Sequence, residues 1–146
     1  MKLKHLTTSA LALVLIAGCG GDDPMGVEPD DIAGTWTGTS MLFTSVADNT
    51  VSEDIIVDDI ATLVIVFDAD GTYTFTFTFP PLPDENETGT YSVSGSTLTA
   101  TPTGGIAETS TIARDGDTMT LTDSDDFDFD DGNGDVPATL VITLTR

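Results

Sequence analysis

The sequence predicts an all-β fold, an antiparallel up-and-down meander of eight strands that closes into a barrel. Three observations carry this expectation. Apolar and polar residues alternate with period two through most of the chain after residue 32, which puts successive side chains on opposite faces of a strand. The alternating segments are short and separated by Gly, Asp and Pro clusters of the kind that make tight hairpins. Beyond the first twenty residues no segment shows helical periodicity.

Residues 34–44 form the opening strand, residues 61–67 the next, and residues 72–79 the clearest of all. In the last of these, Tyr73, Phe75, Phe77 and Phe79 point one way and Thr72, Thr74, Thr76 and Thr78 the other. The turn at residues 68–71 (Asp-Ala-Asp-Gly) joins that strand to its predecessor. Pro80, Pro81 and Pro83 end it, because proline cannot donate to a ladder. Residues 89–93 and 96–100 then flank Ser94 and Gly95, and residues 109–114 and 118–122 flank Asp115, Gly116 and Asp117. Residues 138–146 make the closing strand. The count is eight if residues 46–59 are a loop and nine if residues 51–57 pair. An antiparallel meander closes edge to edge only with an even number, and closure removes exposed edges. Eight strands, with the insertion as a long loop or flap, is therefore the expectation. Such a barrel encloses room for packed side chains or one small ligand.

The front of the chain reads differently. A basic start (Lys2, Lys4, His5) leads into an apolar run at residues 10–17 and then Gly18, Cys19 and Gly20. This is the pattern of a secretory signal over residues 1–18, too short for a membrane span, which needs about 20 apolar residues. Ile16-Ala17-Gly18-Cys19 resembles the bacterial lipobox, with Ile16 where Leu is usual. The resemblance implies cleavage before Cys19, a diacylglyceryl thioether on its sulfur, and acylation of the new amine by a fatty acid such as palmitate. Two or three acyl chains anchor stably where one is marginal. By the sorting rule known for such lipoproteins, Gly20 favours the outer membrane. Residues 19–31, rich in Gly, Pro and acid, read as a flexible tether, leaving residues 32–146 as one folded domain.

Composition excludes much. From Cys19 onward the chain keeps only Arg114 and Arg146 against 25 carboxylates, a side-chain net charge near −23, with no histidine or lysine. A Ser-His-Asp triad and His-based zinc sites are thereby ruled out, and with Cys19 lipidated no thiol remains. Carboxylate pairs are too abundant to single one out. Nucleic acid and anionic headgroups would be repelled. The composition argues against an enzyme and for no cofactor, unless the acidity serves calcium. Otherwise it is a solvated surface suited to a salty medium, where repulsion is screened.

Gly34-Thr35-Trp36 matches the Gly-x-Trp that starts the first lipocalin strand. Residues 70–75 (Asp-Gly-Thr-Tyr-Thr-Phe) and 89–99 resemble repeating phrases of the bacterial lipocalin-like domains. The resemblance covers most of residues 32–146 and implies an eight-stranded lipocalin-like barrel. It also implies an arginine from the last strand against the tryptophan. Arg146 shares parity with Leu140, Ile142 and Leu144, so Trp36 and Arg146 are expected to meet as a cation–π pair closing one end, unless Arg146 frays into solvent.

Two candidate sites follow. Leu63, Ile65, Phe67, Tyr73, Phe75, Phe77, Tyr91, Leu98, Leu121 and Leu140 face inward and either fill the core or line a cavity for a small hydrophobic molecule. The acidic stretch at residues 123–135 is the other. Asp126, Asp128, Asp130 and Asp135, with Gly132 and Gly134, have the oxygen-rich character of a calcium loop. Their spacing departs from the EF-hand, and a solvated loop explains them as well. The leading expectation is a membrane-anchored binding protein for a small hydrophobic molecule. The alternative is a non-catalytic envelope interaction or structural module, ordered by calcium through the acidic loop.

Overall fold

The computed structural model describes residues 27–129, 132 and 134–146. One short helix, α1 (Pro29–Ile32), precedes nine strands: β1 (Gly34–Ser45), β2 (Ser52–Asp54), β3 (Thr62–Phe67), β4 (Thr72–Thr78), β5 (Glu85–Ser94), β6 (Thr97–Pro102), β7 (Glu108–Asp115), β8 (Thr118–Phe127) and β9 (Val136–Thr145). Strands β3 to β9 pair antiparallel in order, β1 pairs with both β3 and β9, and the sheet closes into an eight-stranded barrel. Strand β2 is the ninth, a short addition to β1.

Three elements differ from the sequence expectation. The insertion at residues 46–59 is not all loop, because Ser52–Asp54 pair with Thr44–Leu42. Strand β5 starts at Glu85 rather than residue 89, and β8 runs on to Phe127, into the stretch expected to be an acidic loop. The extension of β8 is stabilised by Phe127, which is buried and stacks on Phe43 at 4.1 Å. Burying such a ring contributes roughly 1.5–3 kcal/mol, enough to order a polar strand leading to it. The segment expected to be a tether is also structured from Val27, whose N–H donates to the Gly95 carbonyl at 3.1 Å.

The interior divides into two halves. At one end the turns between β3 and β4, β5 and β6, and β7 and β8 are short, and α1 lies across the opening. Ile32 of α1 and Trp36 are both fully buried, and the Trp36 Nε1–H donates to the Ile32 carbonyl at 2.7 Å. Leu63, Ile112, Met119 and Leu144 complete the packed floor of this closed half. Tyr91 ties it to the β3–β4 turn, its hydroxyl donating to the Asp68 carbonyl at 2.9 Å.

At the other, open end the loops are longer and the wall has two seams. Strand β1 pairs with β3 only over Gly34–Thr37, then bulges between Gly38 and Ser40. Strand β2 covers the part of β1 that β3 leaves, with Ile55 buried behind it. Gly38 permits this approach: a Cβ there would stand 2.8 Å from both Ile56 Cδ1 and Leu63 Cβ. The second seam lies between β7 and β8. Their ladder stops at Thr111 and Thr122, although both strands continue toward the open end.

Candidate functional site

Both arginines of the described residues sit at the closed end and hold α1. The Arg146 guanidinium lies over the Trp36 ring, 4.8 Å from its centroid, and donates to the carbonyls of Asp31 and Ala33 at 3.4 and 3.3 Å. It also pairs with Asp117 at 3.6 Å, while Arg114 pairs with Asp31 at 3.4 Å. The charge of Arg146 is thus shared among a ring, two carbonyls and a carboxylate. This end is a plug.

The open half is where inward-pointing side chains remain accessible. Of the ten residues expected to face the interior, Leu63, Ile65, Phe67, Tyr73, Tyr91, Leu98 and Leu121 are buried in one core cluster and Leu140 in a second. Those eight are packing. Phe75 and Phe77 are only half-buried, their rings 6.5 Å apart on β4, and Ile142 and Ala100 are half-buried beside the same core. Phe77 and Ile142 also pack against the second cluster, Phe43, Ile55, Phe127, Ala138 and Leu140, so they join the two cores.

Carboxylates share the inward face of this half, and sequence reasoning missed them. Glu87 stands opposite Phe75 across the β4–β5 ladder, on the face that carries Tyr91. Glu108 stands opposite Ala100, and Asp123 and Asp125 continue the inward face of Leu121. The Tyr73 hydroxyl donates to Glu87 Oε1 at 2.5 Å, its ring lying across Gly89, where a Cβ would come within 2.7 Å of it. Ser110 Oγ donates to Asp123 Oδ2 at 3.1 Å. Burial, reinforced by the charges of Glu87, Asp123 and Asp125, raises the Glu108 pKa above the usual carboxylate value. Burial is also the main cause raising Asp125, with the neighbouring acids adding to it against a backbone hydrogen bond from Asp126. Parity was the available signal: Glu87 matches Tyr91, Glu108 and Ser110 match Ile112, and Asp123 and Asp125 match Leu121. Their polarity hid it, since alternation is read from apolar residues.

The rim is apolar. Val46, Val51, Val57, Ile60, Leu82 and Ile106, the exposed large hydrophobics of the described residues, lie on the β1–β3 insertion that carries β2 and on the loops that follow β4 and β6. The loop carrying β2 is organised by Asp54, whose carboxylate accepts from Ser40 Oγ at 2.5 Å and from the N–H groups of Met41, Ile56 and Val57 at 3.0–3.2 Å. Ile60 there is held at φ 59°, a left-handed conformation that β-branched residues rarely adopt.

The expected calcium ligands are only partly among the described residues. Asp126 is in β8 on the outward parity, Asp128 follows that strand, Asp135 precedes β9, and Asp130 lies outside the described residues. Among the described residues no group of three or more His, Cys, Asp or Glu side chains is placed to hold a metal ion. Cys19 also lies outside the described residues. No described helix is long and apolar enough to cross a membrane.

The open half thus carries a second packed cluster, Phe43, Ile55, Phe127, Ala138 and Leu140, with half-buried Phe77 and Ile142 against it, inward carboxylates beside it and an aliphatic rim around it, over a plugged base. Searches of curated proteins and of solved structures return no match to this chain. The model of the lipocalin-like domain matches residues 32–125, from the buried Ile32 through Asp125 of β8. With the closed eight-stranded meander around it, that match shows that the chain belongs to the lipocalin-like domain family.

Proposed function

We propose that this protein binds a small amphiphile in the open half of its barrel, with an apolar body against Phe75, Phe77 and Ile142 and a cationic or donor-rich head toward Glu87, Glu108, Asp123 and Asp125. The observation that supports this reading is that half-buried aromatic side chains and inward-facing carboxylates lie side by side in the open half, Glu87 next to Phe75 across the β4–β5 ladder. An aromatic face and a carboxylate both favour an ammonium group, the first through its quadrupole and the second by charge. A purely apolar ligand would leave the carboxylates desolvated without a partner, which is costly. The body carries no histidine, lysine or free thiol beyond Cys19 to run catalysis, so binding is the reading its chemistry supports.

We further infer export and lipid attachment at Cys19, supported by the lipobox-like run. Val27 joins the barrel at the closed end beside Gly95. The seven residues between Cys19 and Val27, eight steps along the chain, would reach roughly 26 Å at ~3.3 Å each. The plug would then face the bilayer and the mouth would face away from it.

Calorimetry with decyltrimethylammonium, decanol and decanoate, each kept monomeric, tests the ligand class. The expected order of affinity is ammonium, alcohol, carboxylate, and Glu108→Gln with Asp125→Asn should reduce the ammonium preference by about tenfold, the scale of one or two weakened ionic contacts. Equal affinities for the three probes would overturn the reading. Trp36 fluorescence is a poor reporter here, because the indole is sealed in the plug.

A further inference from the structure

The barrel has two seams in its open half, and only one is closed by backbone. Where β3 leaves β1, the short strand β2 pairs on the free edge of β1 through three residues. Where β7 leaves β8, no strand among the described residues does the same. Past Thr111 and Thr122 the two strands are joined by a side-chain bridge, Ser110 to Asp123. A depression of about 370 Å³ lies there, lined on its two sides by Thr109–Thr111 and Thr122–Ser124 with Thr97 of β6.

The free edge of β8 is visible in its hydrogen bonds. Ser124 and Asp126 are spaced by two from Thr122, so all three N–H groups project to the same side, toward β7. The Thr122 position is taken up by the ladder with Thr111. The other two are capped by side chains one residue back: Ser124 N–H donates to Asp123 Oδ1 at 2.7 Å, and Asp126 N–H to Asp125 Oδ1 at 2.8 Å. An edge whose amides are satisfied by its own carboxylates is protected from chance pairing and can be reopened by rotating two side chains.

We propose that the β7–β8 seam accepts an extended, basic segment of a partner protein, which pairs on the β8 edge as β2 pairs on β1. The mode is strand addition, in which backbone hydrogen bonds supply affinity and alternate side chains supply selectivity. Charge selects the partner. Glu108, Asp123, Asp125 and Asp126 flank the edge, and both described arginines are at the opposite end of the barrel. Carbonyls of the incoming strand take the Ser124 and Asp126 amides, and the carboxylates thus released pair with its lysines or arginines. A second copy of this chain is disfavoured, because it would bring an equally acidic edge against this one. This inference does not depend on a ligand in the barrel.

The test uses the full-length body in solution and two capped octapeptides alternating lysine and valine. One is unmodified and the other carries N-methyl groups on alternate amides, with the same charge and side chains but a blocked strand edge. The unmodified peptide should bind about tenfold more tightly, the worth of one or two backbone hydrogen bonds. It should also slow hydrogen exchange at the Ser124 and Asp126 amides. Ser124→Pro, which removes a seam-facing N–H and leaves the β9 side of the strand intact, should erase the difference between the peptides. Equal binding of the two peptides to the unaltered protein would overturn the proposal, as would protection elsewhere. Peptide-independent dimerisation that protects the same amides would assign the edge to a second copy and overturn it too.

Discussion

Single residues set both ends of this barrel. At the open end Asp54 is the keystone of the loop that carries β2. Burial pushes its carboxyl up, but the hydrogen bonds from Ser40, Met41, Val57 and Ile56 together outweigh it and hold the pKa below the usual carboxylate value. A depressed acid contributes stability that is present above its unfolded pKa, about 3.9, and lost as pH falls through the folded value. Asp54→Ala leaves three backbone donors without a partner and is expected to cost about 1–3 kcal/mol. Urea unfolding at neutral pH should show that loss, and the variant's deficit should shrink as pH falls from about 4 through the lower folded value, where the unaltered Asp54 becomes protonated. A deficit independent of pH would mean the carboxylate is not what organises the loop. At the closed end, Arg146→Ala removes the guanidinium from Trp36, the α1 carbonyls and Asp117 together. The expected loss is roughly 1–2 kcal/mol, with increased quenching of Trp36 fluorescence by acrylamide as the plug loosens. Arg146→Lys should restore only part of it, because an ammonium cannot stack on the ring and reach two carbonyls in one plane.

At the scale of strands, the apolar halves of the elements were legible and the polar halves were not. Alternation in residues 72–79 and 61–67 gave β4 and β3 nearly to the residue, because their inward positions are aromatic or aliphatic. The Gly-x-Trp start and the parity of Arg146 likewise placed both groups at one end. By contrast β5 was read four residues short, since Glu85 and Glu87 occupy inward positions where period-two reading looks for apolar side chains. The last five residues of β8 were lost to the same rule: Asp123 and Asp125 face inward, and only the buried Phe127 betrays the strand. The part of each strand that builds the candidate site is thus the part that local hydrophobicity cannot show. A further expectation belongs to these elements. The raised pKa values of Glu108 and Asp125 mean that their charged forms are unfavourable in the folded state. The folded state tolerates the protonated forms without penalty below the unfolded pKa, and the destabilisation grows as pH rises through the folded value and is complete above it. Glu108→Gln and Asp125→Asn are therefore expected to stabilise the protein at neutral pH, each by on the order of 0.5 kcal/mol, while weakening ammonium binding. Thermal melts beside the calorimetric titrations check the pair. A variant that loses both stability and binding would place that carboxylate in the structural framework instead.

For the molecule as a whole, charge is distributed against compactness. The chain's formal net charge is −21, and the two described arginines are spent on the plug, so repulsion around the mouth and along β8 goes unanswered by any described cation. Folding draws these carboxylates together, and self-repulsion of this kind destabilises the compact state. Screening should relieve it, because the Debye length falls from about 10 Å at 0.1 M salt to about 3 Å at 1 M. The urea midpoint is therefore expected to rise steadily from low salt to 1 M NaCl, equally for NaCl and KCl, with little change in the slope of the transition, since the surface exposed on unfolding is the same. A specific cation site would behave differently, saturating at low concentration and discriminating between ions. The described carboxylates offer no converging group of three, with Asp126 directed outward from β8 and Asp135 placed before β9. Adding about 5 mM CaCl2 over 1 M NaCl should accordingly leave the midpoint where it was, at a concentration that would fill even a weak extracellular-type site. A saturable calcium-induced rise against that background would instead locate a divalent site in residues 123–135, and would make stability at the mouth a property of the bound ion rather than of screening.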